Sequence, residues 1–369
     1  MNQSYSNTKA TLAIARASFR SITRSPSAVV FSLAFPLIFI LVFGFIGGGS
    51  GGFKVDVGVM NGSDTANNIY RALKKTGGAN LIVNQTDAEL MQDLEKGRTD
   101  ALIKIQKNAN ATPPFTVDVK YTGASREKGQ FFRSLLLIPI LASANQPKGA
   151  VPPPAVAALH ESTITGRVYK TIDFILPGQL GFSLLSSGVF GTAFVFLSLR
   201  VTLVIKRFFA TPVKRYSIVL GEMLARIIFS LVGALFIIGI GHFAFGFTLI
   251  HGFVTVLNML ALSVLGLIVF MGFGFVVSGI AKNESSVPPI ANIITLPQFL
   301  LSGTFFSISA FPGWLQPISK ALPLTYLNDA MRKVAFEGAG LFDVWHQILI
   351  LLVWLIIIYT IAVKTFKWE

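Results

Sequence analysis

Six stretches of this chain are each long enough to cross a bilayer and contain no Asp, Glu, Lys or Arg. They are Ala28–Ile46, Phe174–Leu199, Ile227–Phe247, Phe253–Ala281, Val287–Phe306 and Val344–Val363. A helix rises about 1.5 Å per residue, so about 20 apolar residues cross a hydrocarbon core of about 30 Å. A soluble fold could not bury six such helices. Composition agrees, with 52% hydrophobic residues, 13% charged residues and 33 Phe in 369 positions, far from soluble averages. The first run follows Arg16, Arg20 and Arg24 as a secretory signal would. It is long for a signal, however, and G-G-G-S-G-G follows it in place of a small-x-small cleavage site, so it reads as an uncleaved first span. The expected fold class is mainly α and polytopic, with six transmembrane helices and an extracytoplasmic α/β domain inserted between helices 1 and 2.

Charge sets the orientation. The net charge of +14 could suggest nucleic acid, but in 47–171 Lys and Arg are interleaved with Asp and Glu, and much of the remaining excess lies beside the spans. Short loops rich in Lys and Arg stay cytoplasmic. Segment 1–27 carries Lys9, Arg16, Arg20 and Arg24 without an acid, and 200–216 carries Arg200, Lys206, Arg207, Lys214 and Arg215 without one. Six spans with both termini inside put these segments and the tail on one side. Pro212 disfavours helix at Thr211, so the hinge reads as a short amphipathic helix up to Ala210, then a turn. Phe208 and Phe209 would face lipid while Lys206 and Arg207 face water. Glu222 and Arg226, at i and i+4, read as a local ion pair worth a few tenths of a kcal/mol.

The remaining segments fall outside. Region 47–171 alternates K-V-D-V-G-V-M (54–60), a helix over Asp64–Lys75 capped by Asp64 or Thr65, a strand at 81–83, a helix over 87–96, and strands at 101–105 and 115–121, the pattern of a small α/β domain. A helix over Ser125–Asn145 follows, and V-P-P-P (151–154) opens an outer linker that reads as holding His160. Between Glu284 and Lys320 the uncharged stretch is too long for one span and too short for two. A fifth helix followed by a re-entrant or interfacial piece around Phe311–Leu322 fits that length.

Catalytic patterns are missing. The sequence has no phosphate-binding G-x-x-x-x-G-K-[ST] loop, no H-E-x-x-H and no His pair at metal spacing. The absence of cysteine excludes disulfides, Cys-ligated zinc and thiol catalysis. No Asp, Glu, Lys or Arg lies centrally in any run, which argues against an ion-driven carrier.

Four motifs, spread over nearly the whole chain, resemble the membrane subunits (permeases) of type-2 ABC transporters, whose six-helix fold is called the type V exporter. They are R-S-I-T-R-S-P-S-A-V-V-F-S-L-A-F-P-L (20–37), I-L-P-G (175–178), K-R-F-F-A-T-P-V-K-R-Y-S-I-V-L-G-E (206–222) and L-S-G-T-F-F-S-I-S-A-F-P-G-W-L-Q-P-I-S-K-A-L-P-L-T-Y-L-N-D-A-M-R (301–332). The resemblance implies two paired six-span protomers, identical or sibling, in a prokaryotic cytoplasmic (inner) membrane. Each would dock an ABC ATPase subunit on its cytoplasmic face. This chain would then hold no cofactor, and ATP and Mg would sit on the partner ATPase.

The resemblance also implies a domain plan. Residues 1–27 would form a cytoplasmic connecting helix, 28–46 the first span, 47–171 the extracytoplasmic domain and 172–369 the permease core. A coupling helix at about 200–212 would dock the ATPase through Arg200, Lys206, Arg207, Phe208, Thr211, Pro212, Lys214, Arg215 and Glu222. An outer re-entrant segment at about 307–330 would carry Pro312, Gly313, Trp314, Pro323 and Tyr326, flanked by Gly303 and Arg332. The chain departs from the family in lacking an acid and a Gly-Thr before the coupling-helix Arg, where Leu199, Arg200, Val201, Leu203 and Val204 stand. That departure lets span two extend further inward. The leading expectation is an ATP-driven export permease for a small amphipathic molecule or lipid. The alternative is a membrane-anchored extracytoplasmic binding or sensor protein without transport.

Overall fold

The structure is a computed structural model that describes residues 6–24, 34, 36–42, 55–83, 85–95, 98–108, 113–122, 126–141, 157–164, 171–204, 210–305, 308 and 311–366. In chain order the elements are α1 (Asn7–Thr23), β1 (Val55–Val59), α2 (Asn68–Thr76), β2 (Ala79–Ile82), α3 (Asp87–Glu95), β3 (Ala101–Lys107), β4 (Phe115–Thr122), α4 (Arg126–Leu141) and β5 (Ala157–Ile164). Then come α5 (Thr171–Ser186), a π turn (Ser187–Gly191), α6 (Thr192–Val201), α7 (Arg215–Phe245), α8 (Phe253–Ile280), α9 (Val287–Leu301), α10 (Gln316–Ala321), α11 (Pro323–Arg332), a second π turn (Lys333–Glu337) and α12 (Trp345–Thr365). They form two compact units, Met1–Gly48 with Lys170–Glu369, and Gly49–Tyr169.

In the helical unit, four helices are long and apolar enough to cross a membrane: Ile172–Val201 (α5 through α6), α7, α8 and α12. The protein is a multi-pass membrane protein. Of the other two expected spans, residues 36–42 are helical with Ile40 buried, and the rest of 28–46 lies outside the described residues apart from residue 34. Helix α9 has 15 residues and rises about 22 Å, short of the bilayer core. It stops where Gly303 takes φ +71°, a conformation only glycine adopts freely.

Helix α8 is the axis of the unit and its most buried spanning helix. It meets the first π turn backbone to backbone: a Cβ at Gly274 would stand 2.7 Å from the Val189 carbonyl oxygen and 2.8 Å from that of Gly188. Small residues allow this approach, and in a membrane close packing takes over part of the role that hydrophobic burial plays in water.

The helix ends gather at two faces. At one, α1 lies on the first turns of α7, where a Cβ on Gly221 would stand 2.7 Å from Ile14. There too the end of α6 meets the end of α8, and a Cβ on Gly279 would stand 2.5 Å from the Thr365 carbonyl oxygen at the end of α12. At the other, Asp173 in the first turn of α5 accepts hydrogen bonds from Thr248 N (2.8 Å) and Thr248 Oγ1 (3.1 Å), just past α7. Gln347 of α12 donates to Asp329 of α11 at 2.6 Å.

The second unit is built on a five-stranded sheet ordered β2-β1-β3-β4-β5, with β3 and β4 antiparallel and the other neighbours parallel. Strand alternation sends Val55, Val57 and Ile103 into one core with Ile69 and Leu73 of α2 and Phe132 and Leu136 of α4. On the opposite face Leu102 packs with Leu90 and Leu94 of α3.

Two readings of this region need correction. Asn67, not Asp64 or Thr65, caps α2, accepting the Tyr70 amide at 2.7 Å, while Asp64 Oδ1 accepts the Ala66 amide. The stretch holding His160 is not linker but β5, paired with β4 from Phe115↔Ala157 to Thr122↔Ile164. As an edge strand it buries only Ala157, so it shows no apolar alternation to read.

At the sheet margin, burial pushes the Asp56 carboxyl above the usual carboxylate range. The Asn80 amide, donating at 2.8 Å, works against that shift, while the Asp100 charge adds to it. A folded pKa above the unfolded one favours folding at low pH, and that contribution is lost as pH rises through the folded value. Asp56→Asn should therefore raise the thermal midpoint of this unit at pH 7, with the gain shrinking toward pH 4. Scanning calorimetry of the two proteins at both pH values checks this.

Candidate functional site

The hinge between α6 and α7 begins later than its sequence suggests. Arg200 and Val201 complete α6, Thr202 and Leu203 form a turn, and Leu203 sits at φ +58°. Arg200 Nη2 donates to the Ala281 carbonyl at 2.6 Å, clamping the end of α6 to the end of α8. Lys206, Arg207, Phe208 and Phe209, with the expected amphipathic helix, lie outside the described residues. Thr211 and Pro212 are in an exposed turn and Lys214 caps α7 with extended backbone. Lys214 Nζ stands 5.9 Å from the centre of the Tyr216 ring, and Arg215 opens α7.

Glu222 and Arg226 do not bridge each other within 4 Å; each reaches a different helix. Ser18 Oγ of α1 donates to Glu222 Oε1 at 2.5 Å. Arg226 crosses to the π turn, where Nη1 donates to the Ser187 carbonyl at 3.2 Å and Nη2 to that of Gly191 at 2.8 Å. A π turn widens the helix and shifts its hydrogen-bond ladder, and carbonyls exposed that way have no water to turn to in a membrane. The guanidinium is a fixed fork of donors, and an arginine inside a membrane usually pairs with carboxylates or backbone carbonyls. Arg226 is 7% exposed and sits about three turns into α7. A charged residue thus lies within a spanning helix, where the uncharged run starting at Ile227 had placed none.

A second arginine holds the opposite face. Arg332, the last residue of α11, donates from Nε and Nη2 to the Phe174 carbonyl (3.1 and 3.0 Å) and from Nη2 to the Gly303 carbonyl at 2.5 Å. Its guanidinium also lies 3.7 Å from the Phe174 ring centre, a cation–π contact. Asn328 Nδ2 adds a bond to the Ser302 carbonyl at 3.2 Å. Tyr326 OH donates to the Lys320 carbonyl at 2.6 Å, tying α11 to α10. Pro323 opens α11, where a missing amide costs nothing. Pro312, Gly313 and Trp314 stand exposed, Trp314 at 72%. The residues sunk into the bundle run from Pro323 to Phe336, so α11 with its π turn is the buried part of this stretch.

The sequence profile described as ABC-2 family transporter protein matches residues 26–364. The chain belongs to the ABC-2 family of transporter proteins. It is 29% identical over 208 residues to ABC transporter G family member 20 of Dictyostelium discoideum, a match covering 54% of this chain and 28% of that protein. It is 24% identical over 148 residues to the probable multidrug ABC transporter permease YbhR of Escherichia coli K12, covering 39% of this chain and 38% of that one. The chain therefore spans well under two thirds of either relative. The ABC-2 match covers the face held by Arg332 and, on the hinge face, the ends of α6, α7 and α8, while α1 lies just before it.

Arg226, Ser18, Asp173 and Asn328 were not among the site residues read from sequence. The small residues Ser186, Ser187, Gly188 and Gly191 inside an otherwise bulky span were a usable signal, because such residues mark close approach. Gly191 is decisive, since a Cβ there would fall onto the Arg226 guanidinium. Gly191→Ala should displace the guanidinium and destabilise the protein by about 1–3 kcal/mol. Arg226→Leu, which takes these donors from the Ser187 and Gly191 carbonyls, should itself destabilise, and adding Gly191→Ala to it should cost little more, a non-additivity read from thermal unfolding of the double-mutant cycle.

Proposed function

We propose that this ABC-2 family protein is the permease subunit of an ATP-driven exporter carrying a small amphipathic molecule or a lipid outward, with hydrolysis on a separate ATPase chain that binds ATP and Mg. The observation that carries this reading is the clustering at one face of α1 on Glu222 and of Arg200 on Ala281, flanking the basic hinge in a chain of a transporter family. A push on that hinge would reach α6, α7 and α8 together. Lys206, Arg207, Phe208, Thr211, Pro212, Lys214 and Arg215 would form the docking surface.

In this reading the unit crosses the membrane at 28–46, α5–α6, α7, α8 and α12, and α9 together with the capping segment that follows it makes the sixth crossing. The α1 face is cytoplasmic because 1–27 and 200–216 carry bases without acids. Both termini are then inside, and the Gly49–Tyr169 unit is extracytoplasmic in a prokaryotic inner membrane. Gly303–Arg332 would cap the outward path between two such protomers. The word multidrug in the name of the Escherichia coli relative supports an amphipathic substrate. A protein that merely anchored an outer binding domain would need one span, and four candidate spans speak against it.

Purification of the full chain from its native membrane in nanodiscs, with mass spectrometry of its companions, tests this. A stoichiometric P-loop ATPase should co-purify and be lost from the Lys206→Ala, Arg207→Ala, Pro212→Ala variant. No ATPase across several detergents with nucleotide present would overturn the reading.

A further inference from the structure

We propose that the groove between α7, α8 and α12 binds one anionic phospholipid, its acyl chains along the helices and its head group at Lys214 and Arg215. The groove is open, has a volume of about 860 Å³ and is lined by Leu220 and Met223 of α7, Ile268 of α8 and Leu355 and Ile356 of α12. That volume is within the roughly 300–1,000 Å³ of ordinary ligand sites. Arg215 and Tyr216 line it where α7 begins, and Lys214 leans over Tyr216 from the exposed side. Among the described residues no acid lines it, and the hydroxyl of Tyr359 is engaged, donating to the Ile268 carbonyl at 3.1 Å.

The occupant follows from this layout. Leu220 and Ile356 are 50% and 68% exposed on helices that cross the membrane, so the groove opens to hydrocarbon. An unfilled concavity there would forfeit dispersion contacts, and acyl chains are the material at hand. Two cations at the mouth, at the membrane boundary where α7 turns apolar, then select the head group. Basic pockets between spanning helices bind anionic lipid head groups in this way, and each Lys or Arg near the surface contributes about 1 kcal/mol, or about fivefold in affinity. The inference rests on the membrane placement of the three helices and not on transport.

Native mass spectrometry of the purified full chain, titrated with phosphatidylglycerol and with phosphatidylcholine of the same acyl chains, tests it. One phosphatidylglycerol should bind in preference. Lys214→Gln with Arg215→Gln should weaken it by about 25-fold and leave phosphatidylcholine unchanged. Ile356→Trp, which fills the groove and keeps the charges, should weaken both lipids, and it decides the matter should the double variant misfold. Lys364→Gln, which removes a charge at the same face but outside the groove, should change neither. The proposal fails if Lys364→Gln costs as much as the double variant, or if Ile356→Trp leaves phosphatidylglycerol binding intact. It also fails if Ile356→Cys, in this cysteine-free chain, forms an intermolecular disulfide in the membrane, since a second copy would then fill the groove. None of these readouts involves an ATPase, so failure here leaves the exporter reading standing.

Discussion

Hydrocarbon offers a backbone carbonyl no partner but the protein itself, and among the described residues the helical unit answers that constraint with an arginine at two places where a helix opens or ends. At Ser187–Gly191 the spanning helix Ile172–Val201 widens into a π turn; near Ser302–Thr304 helix α9 stops and the chain reverses. An arginine answers each. Arg226 bridges Ser187 and Gly191, and Arg332 bridges Phe174 and Gly303. A planar fork of donors can satisfy two carbonyls at once, which a lysine cannot do with the same geometry.

These two contacts also distribute mechanical connection. Helix α7 is tied at Glu222 to α1 and, one turn later, at Arg226 to the π turn, against which α8 packs through Gly274. Movement of the hinge end of α7 therefore cannot be confined to α7. At the far face Arg332 links α11, the end of α9 and the start of α5, so that face responds as one cap. A unit with two knotted faces and bulky apolar helices between them suits a body that rocks or opens as a whole.

Much of this was legible in the sequence for a physical reason. Uncharged runs such as Phe253–Ala281 have one stable arrangement in a bilayer, and α8 occupies Phe253–Ile280. Strands such as Val55–Val59 and Ala101–Lys107 showed themselves by their apolar content. Less visible were features set by a partner rather than by local pattern. The sequence of β5 reads as polar loop because only the neighbouring strand makes it a strand. The hydrogen-bond partners of Glu222 and Arg226 could not be read there, because i, i+4 spacing records only what one helix can do alone, while Ser18 and the π turn lie far off in the chain. The hinge at 205–209, where sequence spoke most strongly, lies outside the described residues.

The proposed exporter needs its helix ends to segregate into a hinge face on the cytoplasmic side and a cap face on the other. The absence of native cysteine makes that directly measurable by single-cysteine labelling with an impermeant maleimide. Thr211→Cys and Ser285→Cys should label only when the cytoplasmic side is opened, whereas Asn61→Cys and Phe342→Cys should label in intact cells. Labelling of Ser285→Cys and Phe342→Cys from the same side would contradict it.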